Sequence, residues 1–414
     1  MTSQLSRRRF LSGLGAVTLL GAAGGIGRGF MESATAATTD MIDVHGHVLP
    51  PFWVDALRAS GGSRVSGMAI PNWSPRAAVA FLDSKCINTQ VVSLPDPAVT
   101  FLPQLSDRVT MARRVNDYVA TELVHSTVHE GRFGGFATLP LADLSVGEQT
   151  EAVKEARRAV NELGLDGVSL LSNYGDTYLG DLKLAPLMLA LNSQSAVVAV
   201  HSNAQGTAPA MDLGAALLEA PFNTTRAIVN MSYLQAFTLY PNIRWLFVDA
   251  GGTLPYLAYR SSLFLLYPVV AQNLGLDVGD LDEGNFQFAD LYFDTAWSAN
   301  PVTMTSLREI APDSHVLLGT DWPLSARSLG DPTLGQGSLA GIFGDKYAAV
   351  SGANARALLP AMAARSGAAA CGGGSAGGGG RTPSPSPSVS PTTNPVESQA
   401  PAPTDLPTAI AAGL

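Results

Sequence analysis

The chain has 414 residues and a mass of 43.0 kDa, with 46% hydrophobic and 14% charged residues. This composition can bury a sizeable core, which excludes a disordered protein. The formal net charge of −9 disfavours binding to nucleic acid or to an anionic membrane surface. Only Cys86 and Cys371 are cysteines, so a disulfide scaffold and a cysteine-ligated zinc site are excluded. Any metal must therefore be bound by histidine and carboxylate.

Residues 1–37 have the pattern of an export signal. Three consecutive arginines, Arg7 to Arg9, precede a weakly apolar, glycine-rich run, and Ala34 to Ala36 supplies the small residues of a cleavage site. This pattern resembles a twin-arginine leader and predicts a periplasmic, cell-wall-associated or extracellular protein that folds before export. The apolar run is too short and too rich in glycine to span a bilayer, so we expect no stable membrane insertion after its removal.

Residues 366–414 differ in composition from the rest of the chain. Nearly all residues from Gly372 to Gly380 are glycine, and a tract rich in proline, serine and threonine follows. Such a segment cannot bury enough apolar surface to offset the entropy of ordering. We expect a disordered tail without a catalytic role.

Residues 38–365 predict one α/β domain built from alternating strands and helices. Eight β-rich runs separated by helical segments indicate parallel strands that close into a (β/α)8 TIM barrel. A doubly wound open sheet is the alternative, although no glycine-rich phosphate loop follows the first strand. The predicted strands are Met41 to Val48, Thr89 to Leu94, Phe133 to Leu139, Gly167 to Leu171, Ala196 to His201, Ile243 to Asp249, Leu291 to Thr295 and Val316 to Thr320.

Two of the segments between the strands carry specific predictions. Residues Ser60 to Pro75 are rich in glycine and serine, which indicates an insertion over the mouth of the barrel. The pattern from Val146 to Leu163 predicts an amphipathic helix with Glu155 on the solvent face.

Candidate metal ligands occur where predicted strands end. His45 and His47 are two residues apart at the end of the first strand, so both imidazoles point to the same side. His201 ends the fifth strand and Asp321 follows the eighth. All four would meet at the carboxyl-terminal mouth of a closed barrel. Three histidine nitrogens and one carboxylate oxygen suit Zn²⁺ or Mn²⁺ and leave a position for water or substrate.

Several motifs together resemble the second amidohydrolase family, which includes aminocarboxymuconate-semialdehyde decarboxylase and the aromatic acid decarboxylases. The resemblance runs from Ile42 to Asn354 and is greatest to the 6-methylsalicylate decarboxylase branch, on the basis of residues 170–181. The other motifs are Asp43 to His47, Arg132-Phe133, Ala137 to Pro140, His201, Ala250 to Pro255, Tyr292 to Ala296 and Gly319 to Pro323.

The resemblance implies a metal-dependent amidohydrolase-type barrel that acts as a carboxy-lyase without a redox or organic cofactor. It places His45, His47, His201 and Asp321 at the ligand positions of one divalent ion, with Zn²⁺ preferred and Mn²⁺ as the alternative. It also implies a homodimer, in which Arg260 binds the substrate carboxylate across the interface. We further expect Asn173 and Trp297 to belong to the pocket wall.

The sequence departs from this family at Asp249, because the family has histidine before the Ala-Gly-Gly motif of Ala250 to Gly252. An ordinary carboxylate is a poorer base near neutral pH than imidazole. Three interpretations remain open. Asp249 acts as a base with a pKa raised by burial, or it binds the metal or a second ion, or the protein is a weakly active or inactive paralogue.

The functional hypothesis is non-oxidative decarboxylation of a salicylate-like aromatic acid or a related unsaturated carboxylic acid. In this hypothesis Asp321 or water protonates the ring carbon, and Asp249 orients water or returns the proton. One alternative is metal-dependent hydrolysis of a lactone, ester or amide, which the same site supports. The other is an exported protein that binds a metal or a ligand without catalysis. The expected partner is a small-molecule carboxylic acid.

Overall fold

The computed structural model describes residues 40–204, 215–266, 288–325 and 336–367. The predicted leader, residues 1–37, and the predicted tail from residue 368 onward lie outside these ranges, so both assignments stay predictions. Among the helices in the described ranges, none combines the length and the apolar character needed to cross a lipid bilayer.

Eight parallel strands form the central sheet, and neighbouring strands follow chain order. Each lies where the sequence predicts a strand. They are β1 (Met41–His47), β2 (Ile87–Ser93), β3 (Phe133–Thr138), β4 (Gly167–Leu171), β5 (Val197–His201), β6 (Arg244–Phe247), β7 (Tyr292–Asp294) and β8 (Val316–Leu317).

The sheet closes because β1 meets β8 and the residues that follow it. The backbone nitrogen of Val44 donates to the carbonyl oxygen of Leu318 at 2.9 Å, and Gly46 pairs with Trp322 in a parallel bridge. Closure excludes the open-sheet alternative and confirms the predicted (β/α)8 barrel.

Helices occupy the connections between strands, and several begin at residues that favour helix starts. Ser74, Ser145 and Asn300 each accept a hydrogen bond from a backbone N–H of the first turn, which satisfies a donor that the helix leaves unpaired. The helices are α1 (Pro51–Ala59), α2 (Pro75–Ser84), α3 (Leu105–Tyr118), α4 (Val146–Asn161), α5 (Ala185–Ser193), α6 (Glu219–Tyr233), α7 (Ala236–Leu239), α8 (Leu254–Leu266), α9 (Pro301–Arg308), α10 (Gln336–Phe343), α11 (Asn354–Leu358) and α12 (Pro360–Arg365).

Apolar side chains fill the barrel, and the last helices cover its amino-terminal end. Ile42, Val91 and Phe136 from neighbouring strands belong to one buried cluster with Leu358 and Met362. A hydrogen-bonded ion pair between Arg356 and Asp40 joins α11 to the start of β1. The polar residues at the strand ends therefore lie at the opposite, carboxyl-terminal mouth.

The predicted insertion contains a two-stranded antiparallel hairpin between α1 and α2. Its strands are Arg64–Val65 and Met68–Ala69. The backbone nitrogen of Ser66 donates to the carbonyl oxygen of Asp96, which follows β2. This hydrogen bond joins the hairpin to the carboxyl-terminal side of the barrel.

The prediction that Glu155 faces solvent is wrong. Its side chain is buried, accepts a hydrogen bond from the amide of Asn116 at 2.8 Å and pairs with Arg158. A buried carboxylate is tolerated when charges and donors surround it. The partner on α3 could not be read from helical periodicity, which relates only residues of the same helix.

Cys86, which directly precedes β2, is disulfide-bonded. The other cysteine of the sequence, Cys371, lies outside the described residues. The described chain ends beside Gly131, because a Cβ on Gly131 would lie 2.5 Å from the backbone nitrogen of Gly367. The carbonyl oxygen of Gly131 in turn accepts from Thr89 of β2, three residues after Cys86, at 2.7 Å. Cys371 follows Gly367 by four positions, and a chain extended over four positions can span about 13 Å.

We therefore expect peptide mapping without reductant to yield Cys86 linked to Cys371. Deleting residues 366–414 removes the cross-link and should lower the melting temperature by about 5–10 °C, whereas deleting residues 374–414 keeps both cysteines and serves as the control. A disulfide that joins two copies of the chain, seen as a reducible dimer on a gel, would contradict this pairing.

Candidate metal centre

The structure brings the four predicted ligands together at the mouth of the barrel. His45 and His47 belong to β1, His201 ends β5 and Asp321 follows β8. Each offers one ligand atom, and these atoms all lie within 4.8 Å of one another. All four side chains are buried.

The orientation of the imidazoles leaves nitrogen atoms directed at this cluster. Nδ1 of His47 lies 3.1 Å from the carbonyl oxygen of Ser93, and Nδ1 of His201 lies 3.0 Å from that of Ser202. These contacts favour the tautomer in which Nε2 keeps its lone pair for a metal.

Buried polar atoms without hydrogen-bond partners indicate that the cluster fits a cation. Nε2 of His45, Nε2 of His47 and Oδ1 of Asp321 are such atoms. These three atoms lie close to one another without forming hydrogen bonds. Oδ1 of Asp321 is 2.8 Å from Nε2 of His47 and 3.3 Å from Nε2 of His45. Unpaired buried polar atoms are rare in proteins, and a three-nitrogen, one-oxygen donor set suits a divalent transition metal.

The charges of the cluster follow from burial and from these contacts. Burial acts to raise the pKa of Asp321, but hydrogen bonding and the charges of His45 and His47 outweigh it and hold that pKa well below its ordinary value. Burial lowers the pKa of His201, and the nearby histidines lower it further. Asp321 is therefore an anion and His201 a neutral imidazole, which are the forms that bind a metal.

A second buried carboxylate, Asp43, organises the backbone beneath the ligands. It accepts hydrogen bonds from the backbone nitrogens of His45 and Thr320, both at 3.0 Å, and from the side-chain amide of Gln90 at 2.7 Å. A Cβ on Gly46 would lie 2.2 Å from the Gln90 side chain, so glycine is required between the two histidines. Burial raises the pKa of Asp43 to about 6.

Asp249 lies beside the ligand cluster rather than within it. It begins a short 3-10 turn after β6 (Asp249–Gly251), and its Oδ1 lies 3.9 Å from Nδ1 of His45. Burial raises its pKa well above the ordinary value, and the negative charges of Asp294 and Asp321 raise it further, although His45 opposes them. Asp249 therefore retains a proton at a pH where an ordinary aspartate would have lost it.

Residues in a left-handed backbone conformation concentrate at this mouth. Asp249, Ala250, Trp297 and Asp321 have φ values of 55°, 56°, 56° and 57°. This region is uncommon for residues other than glycine, and such strain persists where the surroundings impose it, often at active sites. These four residues follow the adjacent strands β6, β7 and β8.

A cavity of about 640 Å³ opens onto the cluster. Its wall includes the hairpin of the insertion, so the prediction that the insertion lies over the mouth is confirmed. Arg64 is the one basic side chain among the described residues that line it. The lining comprises Arg64, Ser66, Gly67, Met68, Ala69, His201, Ser202, Ala216, Leu217, Ala220, Pro221, Asp249, Gly252, Trp297, Ser298 and Asp321.

The three predicted substrate-binding residues have different locations. Trp297 lines the cavity, and its indole N–H donates to Oδ2 of Asp321 at 2.8 Å. Asn173 is buried, donates its side-chain amide to the carbonyl oxygen of Gly175, and is not among the described residues that line the cavity. Arg260 is exposed on α8 and lines a separate groove beside α6.

Arg64 and Asp294 were not predicted as site residues. The sequence feature that could have identified Arg64 is a basic residue within the Gly- and Ser-rich insertion. For Asp294, the signal was an aspartate at the end of a predicted strand, the same feature that identified Asp321.

Comparisons with known proteins agree with this geometry. A family model described as "Amidohydrolase" matches residues 42–360. The chain is 32% identical to a 6-methylsalicylic acid decarboxylase of Penicillium expansum over 68% of its length and 84% of the relative's length. It is 34% identical to a decarboxylase of Aspergillus niger, with coverage of 69% and 77%. A solved amidohydrolase structure aligns with a TM-score of 0.67 at 26% identity, over 77% of this chain and 99% of that one.

Proposed function

Because the chain belongs to the amidohydrolase family, whose model covers residues 42–360, we propose that it is a metal-dependent decarboxylase. It releases CO₂ non-oxidatively from a salicylate-like aromatic acid. The observation that carries this proposal is one cavity lined by His201 and Asp321 of the ligand cluster, by Arg64 and by Asp249. The carboxyl group of Asp249 has a raised pKa. The activities named for the fungal relatives support the same reaction.

His45, His47, His201 and Asp321 hold one divalent ion in this proposal. Zn²⁺ is the first choice for a set of imidazoles and one carboxylate, with Mn²⁺ as the alternative. The bound ion supplies positive charge that polarises and orients a substrate carboxylate.

Asp249 is the proton donor in the proposed reaction. Its carboxyl group lies at the cavity wall and keeps its proton because burial raises its pKa. The proton passes to the ring carbon that carries the carboxylate, the bond between that carbon and the carboxylate breaks, and its electron pair returns to the ring as CO₂ leaves. Solvent then reprotonates Asp249. Asp321 does not take this role, because its lowered pKa leaves its carboxylate without a proton to donate.

Trp297 and Arg64 position the substrate in the cavity. The Trp297 side chain is 41% exposed and lines the cavity, so its ring offers an apolar surface for an aromatic substrate. Arg64 belongs to the hairpin, where its guanidinium donates to the carbonyl oxygen of Gly67 at 2.9 Å. A guanidinium pairs well with a carboxylate because it presents several donors in one plane.

Replacing Arg64 with alanine should raise KM for an aromatic acid about 10–100-fold, the loss expected for one charge-assisted hydrogen bond. The kcat value should change less, because the proton donor and the ligands stay in place. Arg58→Ala on α1 is a suitable control, since Arg58 does not line the cavity. Steady-state kinetics would contradict this role if both variants had the same KM as the wild type.

The direct test of the proposed function measures CO₂ release and the matching phenol. The metal-loaded protein is incubated with salicylate, 6-methylsalicylate and other hydroxybenzoates, and an excess of chelator should abolish turnover. Hydrolysis of lactones or esters without any release of CO₂ from aromatic acids would overturn the proposal.

We also propose that the protein is exported by the twin-arginine route. The support is the arginine pattern at Arg7 and Arg8 together with a disulfide at Cys86, since disulfides persist mainly in oxidising compartments. Replacing both arginines with lysine should leave the protein in the cytoplasm. Normal export of that variant, measured by cell fractionation, would refute the route.

A homodimer completes the proposal, with Arg260 reaching the carboxylate site of the partner subunit. Arg260 is exposed on α8 beside Tyr256 and Tyr259, which are 88% and 70% exposed. Large exposed aromatic residues are typical of association surfaces. Sedimentation that shows only monomers in active samples would contradict this arrangement.

A further inference from the structure

We infer that Asp294 is a positioning residue that fixes His45 as a metal ligand and links it to the loop that carries Asp249. This inference rests on the proposed function because both involve the same metal centre. What it predicts is metal affinity, not CO₂ release.

Asp294 ends β7, and its side chain is fully buried. Its Oδ2 lies 3.0 Å from Nδ1 of His45, which is within hydrogen-bond distance although the two atoms do not have the geometry of a hydrogen bond. On the other side of the same ring, Nε2 lies 3.3 Å from Asp321. The imidazole of His45 thus lies between a carboxylate outside the ligand cluster and a carboxylate inside it.

The other two histidines present the same arrangement with weaker acceptors. Nδ1 of His47 and of His201 each lie close to a backbone carbonyl oxygen, whereas the acceptor beside His45 is a carboxylate. A metal-bound histidine commonly donates its second ring N–H to such an acceptor, which sets the tautomer and raises the basicity of the ligating nitrogen. Asp294 therefore keeps the ring proton of His45 on Nδ1 and leaves Nε2 to the metal.

The second oxygen of Asp294 holds the neighbouring loops. Oδ1 accepts from the backbone nitrogen of Asp249 at 3.1 Å and from that of Ala296 at 2.9 Å. Space around the carboxylate is limited, because a Cβ on Gly319 would lie 2.8 Å from Oδ1. The two oxygens of Asp294 thus contact different parts of the site.

A second cation between His45, Asp249 and Asp294 is the competing explanation, since single ligand atoms of these three residues also lie within 4.8 Å of one another. That ion would have to bind Nδ1 of His45 while Nε2 binds the first ion. The imidazole would then lose its ring proton, which makes this arrangement unfavourable. The metal content of the loaded protein separates the two explanations.

The test compares Asp294→Asn with Asp166→Asn in the full chain. Asparagine keeps the volume of the side chain and one oxygen for the backbone donors, but its amide N–H₂ cannot accept the proton of His45. Asp166 also has a buried side chain and accepts a backbone N–H, from Gly135, but it pairs with Arg365 outside the metal centre. Affinity for Zn²⁺ and Mn²⁺ is measured by competition with a chelator, and thermal melting of the metal-free variants checks folding.

Asp294→Asn should bind metal about 10–100-fold more weakly than the wild type, the usual effect of losing the outer partner of a ligand, while Asp166→Asn keeps wild-type affinity. Unchanged affinity in Asp294→Asn, an equal loss in Asp166→Asn, or two ions per chain in the wild type would overturn the inference. If Asp294→Asn does not fold, nitrogen NMR of the metal-loaded wild type decides: a proton on Nδ1 of His45 supports the role, and a proton on Nε2 refutes it. Because none of these measurements uses turnover, absence of CO₂ release would refute the proposed function alone.

Discussion

Replacing Asp249 with asparagine should lower the rate of CO₂ release by about 10²–10⁴-fold, the usual contribution of a general acid, without loss of the metal. Asparagine cannot donate an acidic proton to the ring carbon, and the four ligands do not include Asp249. The same substitution should remove the pH dependence that this carboxyl group imposes. Since the protonated form is the active one, wild-type activity should be present below the raised pKa of Asp249 and fall as the pH rises through it.

Metal content and the Asp249→His variant distinguish the three interpretations of this residue. Weaker metal binding in Asp249→Asn would make Asp249 a ligand, because an amide oxygen binds a divalent cation less well than a carboxylate. Turnover that appears only in Asp249→His would identify the natural chain as a degenerate paralogue that lacks the imidazole of its family. Full activity in Asp249→Asn would refute its role as the proton donor.

Replacing His201 with alanine should weaken metal binding by more than about 100-fold, since losing even an outer partner of a ligand costs 10–100-fold, and CO₂ release should fall with it. The metal-free variant should melt near the temperature of the metal-free wild type, because the residue lies at the barrel mouth and not in the apolar core. His125→Ala is the matched control, as His125 is exposed and its ring contacts the carbonyl oxygen of Leu163. A His201→Ala protein that retains a full equivalent of metal would contradict the ligand assignment.

The strand positions and the ligand set follow from local patterns. A strand has a period of two residues and a helix a period of 3.6, so alternation of the two patterns is visible in the sequence. Parallel strands in a closed barrel end at one mouth, and this rule brings His45, His201 and Asp321 together although they are far apart in the chain. The observed cluster therefore required no knowledge of individual contacts.

The same patterns were insufficient wherever a contact depends on how distant segments pack. Glu155 has the sequence position of a solvent-facing residue, but it is buried against α3, where the side-chain amide of Asn116 donates a hydrogen bond to it. Asn173 follows a strand, as Asp321 does. Its side-chain amide, however, donates to the carbonyl oxygen of Gly175 in the same turn, and Asn173 does not line the cavity.

By itself, the sequence determined the barrel, its eight strands and the convergence of His45, His47, His201 and Asp321, because hydrophobic periodicity and the polarity of strand ends are local properties. The tertiary structure alone decided that Arg64 of the inserted hairpin lines the cavity and that Asp294 lies against His45. It also decided that Asp249 is largely buried, beside other carboxylates, which raises its pKa above the ordinary value. These features depend on burial and on distances of 3 to 4 Å between segments remote in sequence, and such distances are set by packing rather than by residue order.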